Sequence, residues 1–181
     1  EVAVVNMIAP GAAAHNLIFG GELALVSTPG ATVAAGGPTK PAVPKNLDEL
    51  LKYKVSFGEI ANDMNLTLLS FQDQVNGDVL GLPFEFKIKI LGKDLEIEGI
   101  TRNQKITNFE MKDQPVADIL TGLVRKANPD PSATGPDDLK QKLIWVVGPD
   151  PDQADQQVVL VTTRKAAETK KYTLPPVFMP K

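Results

Sequence analysis

Strand-like and helix-like hydrophobic patterns follow one another along the chain from residue 55 onward, and their order constrains the fold most. Val55–Phe57, Phe84–Ile90 and Ile106–Met111 alternate between apolar and polar side chains, as half-buried strands do. Leu68–Val79 and Val116–Ala127 carry apolar side chains at helical spacing. Because strand–helix–strand occurs twice, we predict an α+β fold: a small mixed sheet with two main helices packed on one face.

The remaining segments complete a βαββαββ-like order. Leu143–Val147 and Gln157–Val161 are rich in β-formers, and the turn residues between them predict an antiparallel pair. Asn46 and Thr163 are typical capping residues, so each is expected to begin a short helix. We expect Asn65 to cap the first main helix. The prolines of Leu174–Phe178 predict an extended tail.

Two interpretations remain open for the segment from residue 91 to 104. In one, Gly92-Lys93 is a tight turn and Leu95–Glu98 is a short return strand, which places oppositely charged residues across the pair. In the other, Asp94–Glu98 is a single helical turn before Gly99. The hydrophobic pattern alone does not distinguish a hairpin from a helical turn.

The second main helix has the clearest apolar stripe in the chain, with Pro115 suited to its first turn and Asp113 or Gln114 as its cap. Its basic residues Arg125 and Lys126 suit a helix carboxyl terminus. Together with the strands it predicts a core formed by nine residues: Phe84, Phe86, Ile88, Phe109, Met111, Ile119, Leu120, Leu123 and Trp145.

Residues 1–45 differ from the domain predicted at 46–178. Up to residue 44 their only charged side chains are those of Glu1, Glu22 and Lys40, and they are rich in Ala, Gly and Pro. Such a segment suits an extended arm that adds to a sheet edge. We expect Val2–Ile8 or Leu23–Val26 to pair as a strand, with at least one contact between subunits. The expected partner contacts in this arm are Val4, Val5 and Leu25.

Composition excludes several classes of function. The chain has no cysteine, which excludes disulfides, thiolate metal sites and cysteine nucleophiles. Acids and bases are interspersed at a formal net charge of −3, without the basic stripe of a nucleic-acid-binding protein. No apolar stretch approaches the roughly 20 residues that span a bilayer, so we expect no membrane insertion by this chain.

Few residues suit catalysis or metal binding. His15 is the only histidine and lies among glycine and alanine residues. Asp150, Asp152 and Asp155 form an acidic loop, but its spacing does not fit a calcium-binding loop, and a solvated hairpin loop is the favoured interpretation. We therefore predict no catalytic, cofactor or metal site. The polar connector at Arg102 and Asn103 is either a turn or a contact with a protein partner.

The order of these segments resembles the secretin and TonB short N-terminal domain family, the STN domains. The resemblance covers roughly residues 54–163 and rests on Leu82–Phe86 and on the strand-to-helix run Ile106–Leu120. Gly99–Gln104 also resembles a connector in STN-like envelope proteins of planctomycete-type bacteria. The loop Pro129–Lys142 is an insertion relative to that pattern.

The resemblance implies a periplasmic module without catalytic residues. Such a module would act in a bacterial cell-envelope complex, where it binds other proteins or packs beside copies of itself in a ring or lattice. A homo-oligomer or a component of a larger assembly is therefore expected. The alternative function is a periplasmic receptor domain that binds a peptide or transmits a signal by strand addition at a sheet edge.

Overall fold

The structure is a computed structural model that describes residues 16–19, 22–25 and 42–180. The chain divides into two compact units, Glu1–Pro41 and Ala42–Lys181. In the first unit, β1 and β2 pair antiparallel over Asn16–Phe19 and Glu22–Leu25. This confirms a paired strand in the region predicted at Leu23–Val26. The other candidate strand, Val2–Ile8, lies outside the described residues.

The second unit confirms the α+β class. Strands β3 (Lys54–Asp63) and β5 (Lys105–Pro115) form an antiparallel two-stranded sheet, called the ribbon below. A mixed three-stranded sheet has the order β4–β7–β6, in which β4 is parallel and β6 antiparallel to β7. The elements are α1 Leu47–Lys52, β3 Lys54–Asp63, α2 Met64–Asp78, β4 Ile88–Ile90, α3 Gly92–Ile97, β5 Lys105–Pro115, α4 Val116–Lys126, β6 Leu143–Pro149, β7 Gln157–Thr163, α5 Arg164–Thr169 and the 3₁₀ turn Pro176–Phe178.

The two main helices contact both sheets, so the layering differs from the single sheet that the sequence predicts. Helices α2 and α4 each contact the ribbon on one side and the three-stranded sheet on the other. The reason lies in the connections, because β3 runs directly into α2 and β5 directly into α4. Gly122 allows α4 to approach β5 closely, since a Cβ there would lie 2.9 Å from Phe109 Cε2.

The hydrophobic core contains all nine predicted residues. Phe84, Ile88 and Met111 are partly buried against it. The other six are buried: Phe86, Phe109, Ile119, Leu120, Leu123 and Trp145. Trp145 also donates its indole Nε1–H to Thr121 Oγ1 at 3.0 Å, which satisfies the one polar atom of the buried ring. These contacts join α4 to the three-stranded sheet.

Two of the predicted helix caps are confirmed and two are wrong. Asn46 Oδ1 accepts the N–H of Glu49, and Thr163 Oγ1 accepts the N–H of Ala166. Asn65 does not cap α2, because the helix begins one residue earlier, at Met64. The prediction of Asp113 or Gln114 as the cap of α4 is also wrong, because the first N–H of α4 donates to a main-chain carbonyl of residue 53.

The strand predicted at Phe84–Ile90 is shorter in the structure, where β4 covers only Ile88–Ile90. Side-chain amides of α2 take the hydrogen bonds that a neighbouring strand would otherwise provide. Gln72 Oε1 accepts the N–H of Ile88 at 2.8 Å, and Asn76 bonds both the N–H and the carbonyl oxygen of Phe86 at 2.9 Å. The segment before β4 is therefore attached to a helix, which a periodicity argument cannot anticipate.

The structure decides between the two interpretations of residues 91–104 and corrects the prediction for the tail. Gly92–Ile97 forms helix α3, so the helical turn is found and the hairpin alternative is wrong. The tail predicted as extended turns into a 3₁₀ helix at Pro176–Phe178. Phe178 is fully buried, and its ring meets that of Trp145 edge to face with centroids 6.1 Å apart. Burial of this one aromatic side chain explains why the proline-rich tail bends back onto the domain.

The loop between α4 and β6 is held by its own hydrogen bonds. The Asp138 carboxylate accepts the main-chain N–H groups of Thr134 and Lys140 and the hydroxyl of Thr134, all at 2.9 Å. These bonds favour the charged form, with the main-chain N–H of Thr134 contributing most, and they lower the pKa of Asp138 from 3.8 to about 2.

The depressed pKa of Asp138 predicts how stability changes in acid. The folded carboxyl binds its proton less readily than the unfolded one, so its contribution is present above 3.8 and is lost as pH falls towards about 2. Asp138→Asn should remove this part of the acid dependence, measured by thermal melts across that range. The exposed Asp155→Asn serves as the control. A carboxyl titration of Asp138 centred at 3.8 or higher would contradict the prediction.

Candidate functional site

The predicted partner contacts Arg102 and Asn103 lie in an exposed turn between α3 and β5. The main chain of this turn has a structural role, because the carbonyls of Arg102 and Gln104 accept the N–H groups of Asn65 and Met64 at the start of α2. The Arg102 guanidinium lies over α3, where a Cβ on its first residue would come within 2.0 Å of Arg102 Nη2. The turn therefore caps a helix, and Asn103 remains a surface residue.

Of the partner contacts predicted in the first unit, one lies in the described residues. Val4 and Val5 lie outside the described residues, as does His15. Leu25 is the last residue of β2 and pairs with Asn16 of β1. The structure therefore gives a paired strand at Leu25 and leaves its predicted contact with another subunit as a prediction.

The acidic loop between β6 and β7 holds a lysine. Lys89 Nζ lies 2.5 Å from Asp150 Oδ1 and 2.5 Å from Asp152 Oδ2. The hydrogen bond with Asp150 is the main cause that raises the pKa of Lys89, and the same bond lowers the pKa of Asp150. The ammonium group takes the position between carboxylates where a cation would bind. Across residues 42–180 and the two short strands, no three His, Asp or Glu side chains cluster as metal ligands would.

Asp94 is the other buried carboxylate with a network of its own. Its oxygens accept the Thr162 hydroxyl at 2.6 Å and the Lys170 ammonium at 2.7 Å. These bonds connect α3 to β7 and to the end of α5, and they satisfy both oxygens of the buried group. Asp94 and Asp150 thus each have a lysine partner, as in structural ion pairs.

Each strand of the ribbon has one edge that faces away from the other strand. In the described part of the chain, β3 pairs only with β5, and β5 only with β3. Gln74 of α2 donates its amide to the carbonyl of Ser56, which marks that side of β3 as the unpaired edge. Because the main-chain groups of successive residues point to opposite edges of a strand, those of Gly58 and Ile60 point to the same edge as the Ser56 carbonyl. An open edge of this kind is a template for another strand.

Ile60 is an exposed apolar residue beside this edge. Its side chain is 84% exposed, the highest value among the large hydrophobic residues of the described chain. A depression of about 360 Å³ lies beside it, lined by Gly58–Ile60 and Asn108–Glu110. The missing side chain at Gly58 leaves room there, since a Cβ would meet its nearest neighbour at 3.7 Å. An exposed apolar residue next to a depression suits contact with a protein partner.

The second edge of the ribbon, along β5, is irregular. Asn108 and Asp113 have positive φ angles of 50°, and the register shifts opposite the Val55–Phe57 stretch. Such bulges twist a strand and make its edge a poor template for pairing. Beside this edge runs a groove of about 380 Å³ between β5, the end of α4 and the following loop. The regular edge of β3 is therefore the better site for strand addition.

Comparisons of the chain with protein-family models, with curated proteins and with solved structures gave no match. In residues 16–19, 22–25 and 42–180, no helix has the length and apolar character to cross a membrane.

The sequence interpretation missed Ile60 because it ended the strand at Phe57. Strand β3 continues to Asp63 through Gly58 and Glu59, residue types that are uncommon in strands. One signal was available: alternation from the inward Val55 and Phe57 places Ile60 on the outward side with Ser56. An isoleucine on the outward side of an extended β3 would have identified the exposed surface.

Proposed function

We propose that this chain is a non-catalytic protein–protein interaction domain that serves as an assembly module of a bacterial cell-envelope complex. The open edge of β3, with Ile60 at its centre, is the contact surface. This edge carries the proposal because it combines unpaired main-chain groups with an exposed apolar side chain. Strand addition at such an edge supplies main-chain hydrogen bonds, and the side chains on the edge supply specificity.

The location in the cell envelope rests on the sequence pattern. The strand-to-helix run into α4 resembles the STN family, whose members act as periplasmic docking modules. The charge-poor segment before residue 46 supports self-association, because a segment of this composition with strands can pair with a sheet edge of a neighbour. Both points favour a homo-oligomer or a component of a larger assembly over a monomeric receptor.

A peptide receptor is the second candidate, and the groove along β5 favours it. This groove has the dimensions of a small binding cleft. Arg125 and Lys126 line one part of it, while Glu110 and Asp130 add carboxylates. An extended peptide bound there would lie across the end of α4. The irregular edge of β5 makes this mode weaker than pairing at β3.

Substitution of Ile60 tests the assembly proposal. We expect Ile60→Lys to raise the self-association Kd about tenfold or more, because burying an isoleucine contributes roughly 1.5–3 kcal/mol and each 1.4 kcal/mol is tenfold. Analytical ultracentrifugation of the full chain measures the change. The matched control is Leu139→Lys, since Leu139 is also largely exposed, at 71%, but lies beside α5 and not on the ribbon.

Circular dichroism separates loss of contact from loss of fold. Ile60→Lys should leave the spectrum unchanged, because the side chain has few neighbours to lose. Equal self-association of Ile60→Lys and the parent would reject the β3 edge as the contact surface. A parent chain that remains monomeric at every concentration would reject self-assembly and favour the receptor.

A further inference from the structure

Asn76–Gly77 is the only Asn–Gly sequence in the chain, and it lies in the last turn of α2. Both polar atoms of the Asn76 side-chain amide form hydrogen bonds. Its nitrogen Nδ2 donates to the carbonyl oxygen of Phe86, and its oxygen Oδ1 accepts the N–H of Phe86, each at 2.9 Å. The side chain thus pairs with Phe86 as a neighbouring strand would. The same dipeptide is, in peptides, the sequence that deamidates most readily.

We infer that Asn76–Gly77 is a deamidation site that the folded domain keeps closed, and whose product releases the Phe86 segment from α2. In this reaction the main-chain nitrogen of Gly77 attacks Cγ of Asn76, a C–N bond forms, and ammonia leaves with the side-chain nitrogen. Water then opens the resulting five-membered imide to aspartate or isoaspartate. Water is the only co-reactant, and no oxidant or reductant takes part.

The helix keeps the site closed by its geometry. Ring closure requires the Gly77 nitrogen to turn towards the Asn76 side chain, whereas a helical ψ near about −42° points it along the helix instead. The two hydrogen bonds to Phe86 also hold Cγ in place. Gly77 itself is exposed, and the helix ends immediately after it, at Asp78. The site therefore opens when the last turn of α2 frays, well before the whole domain unfolds.

The product changes a donor into an acceptor at a partly buried contact. A carboxylate at position 76 places an oxygen where Nδ2 lay, 2.9 Å from the carbonyl oxygen of Phe86. Two acceptors then face each other beside a side chain that is fully buried. The new negative charge also lies at the carboxyl end of α2, where the helix dipole disfavours it. The segment before β4 loses its attachment to the helix.

Gly77→Ala gives a test that leaves the contact with Phe86 intact. Nothing lies within 4 Å of a Cβ at Gly77, so alanine fits, and the added methyl group hinders ring closure. The full-length parent and variant are incubated at mildly alkaline pH, with and without denaturing urea. Mass spectrometry measures the gain of one mass unit on the peptide containing Asn76. We expect the parent to react about tenfold or more faster in urea, and Gly77→Ala to react slowly in both conditions.

Asn76→Asp reproduces the product without incubation. Its melting temperature should fall by roughly 5–10 °C, because the carbonyl of Phe86 loses its donor and faces a second acceptor. Asn76→Ala removes the contact without adding the repulsive oxygen, so it should melt above Asn76→Asp. Equal reaction rates with and without urea would overturn the closed site. An Asn76→Asp variant as stable as the parent would overturn the release of the Phe86 segment.

Discussion

Replacing Arg164 by methionine is expected to lower the free energy of unfolding by about 2–4 kcal/mol and to free the carboxyl-terminal turn. Arg164 is 7% exposed and donates to main-chain carbonyls in two separate segments. Nη1 donates to Phe178 at 2.6 Å, and Nη2 donates to Pro136 at 3.0 Å. Longer bonds of 3.4 Å join it to Asp138 and Gln141. Methionine fills a similar volume but leaves those carbonyls without a donor.

Two measurements distinguish the loss of the Arg164 hydrogen bonds from a general loss of stability. Chemical denaturation gives the change in unfolding free energy, and limited proteolysis reports whether the segment after Leu174 has detached. Lys165→Met is the matched control on the same helix, because the Lys165 side chain is 75% exposed and forms an ion pair with Glu98 instead of donating to the carbonyls that Arg164 binds. If Arg164→Met and Lys165→Met lose equal stability, the carbonyl contacts are not what stabilises this region.

Leu120→Ala is expected to cost about 2–5 kcal/mol, the second large effect. Leu120 is fully buried in α4, which contacts both the ribbon and the three-stranded sheet. Deleting its branched end therefore leaves a cavity between two layers that cannot both move to fill it. Thermal and chemical denaturation measure the change, and the melting temperature should fall by roughly 5–15 °C.

Leu139→Ala is the control for Leu120→Ala because it removes the same atoms from an exposed side chain. We expect its effect to stay within about 0.5 kcal/mol. An unchanged melting temperature for Leu120→Ala would mean that the apolar stripe of α4 does not face the core.

The parts of the fold that follow from the sequence are those whose pattern is local. Helix α4 has its apolar stripe within a few turns, and the pair β6–β7 is joined by a short loop of turn residues. Arg164 was missed because its partners are main-chain carbonyls in distant segments, which carry no side-chain signature. The division into two sheets was missed for a related reason, since a strand pattern shows which face is buried but not which strand it pairs with.

The sequence predicted only part of the candidate site. Arg102 and Asn103 were placed correctly in an exposed polar turn, yet the main-chain carbonyls of that turn cap α2, and carbonyls have no sequence signal. Ile60 was missed because the residues around it are poor strand formers. Its exposure depends on β5 pairing with one edge of β3 and on no strand of the described chain pairing with the other.

The connectivity of the ribbon has a consequence for how the chain reaches its folded state. Residues 54–63 pair with residues 105–115, and β4 pairs with β7 across an even longer stretch, whereas among the strand pairs of residues 42–180 only β6 and β7 are close neighbours along the chain. Domains dominated by such distant contacts have a high contact order and fold slowly for their size. Until the ribbon closes, its apolar strands remain available to other chains. A newly made chain that associates early through β3 would therefore meet its neighbours while the rest of the domain is still assembling.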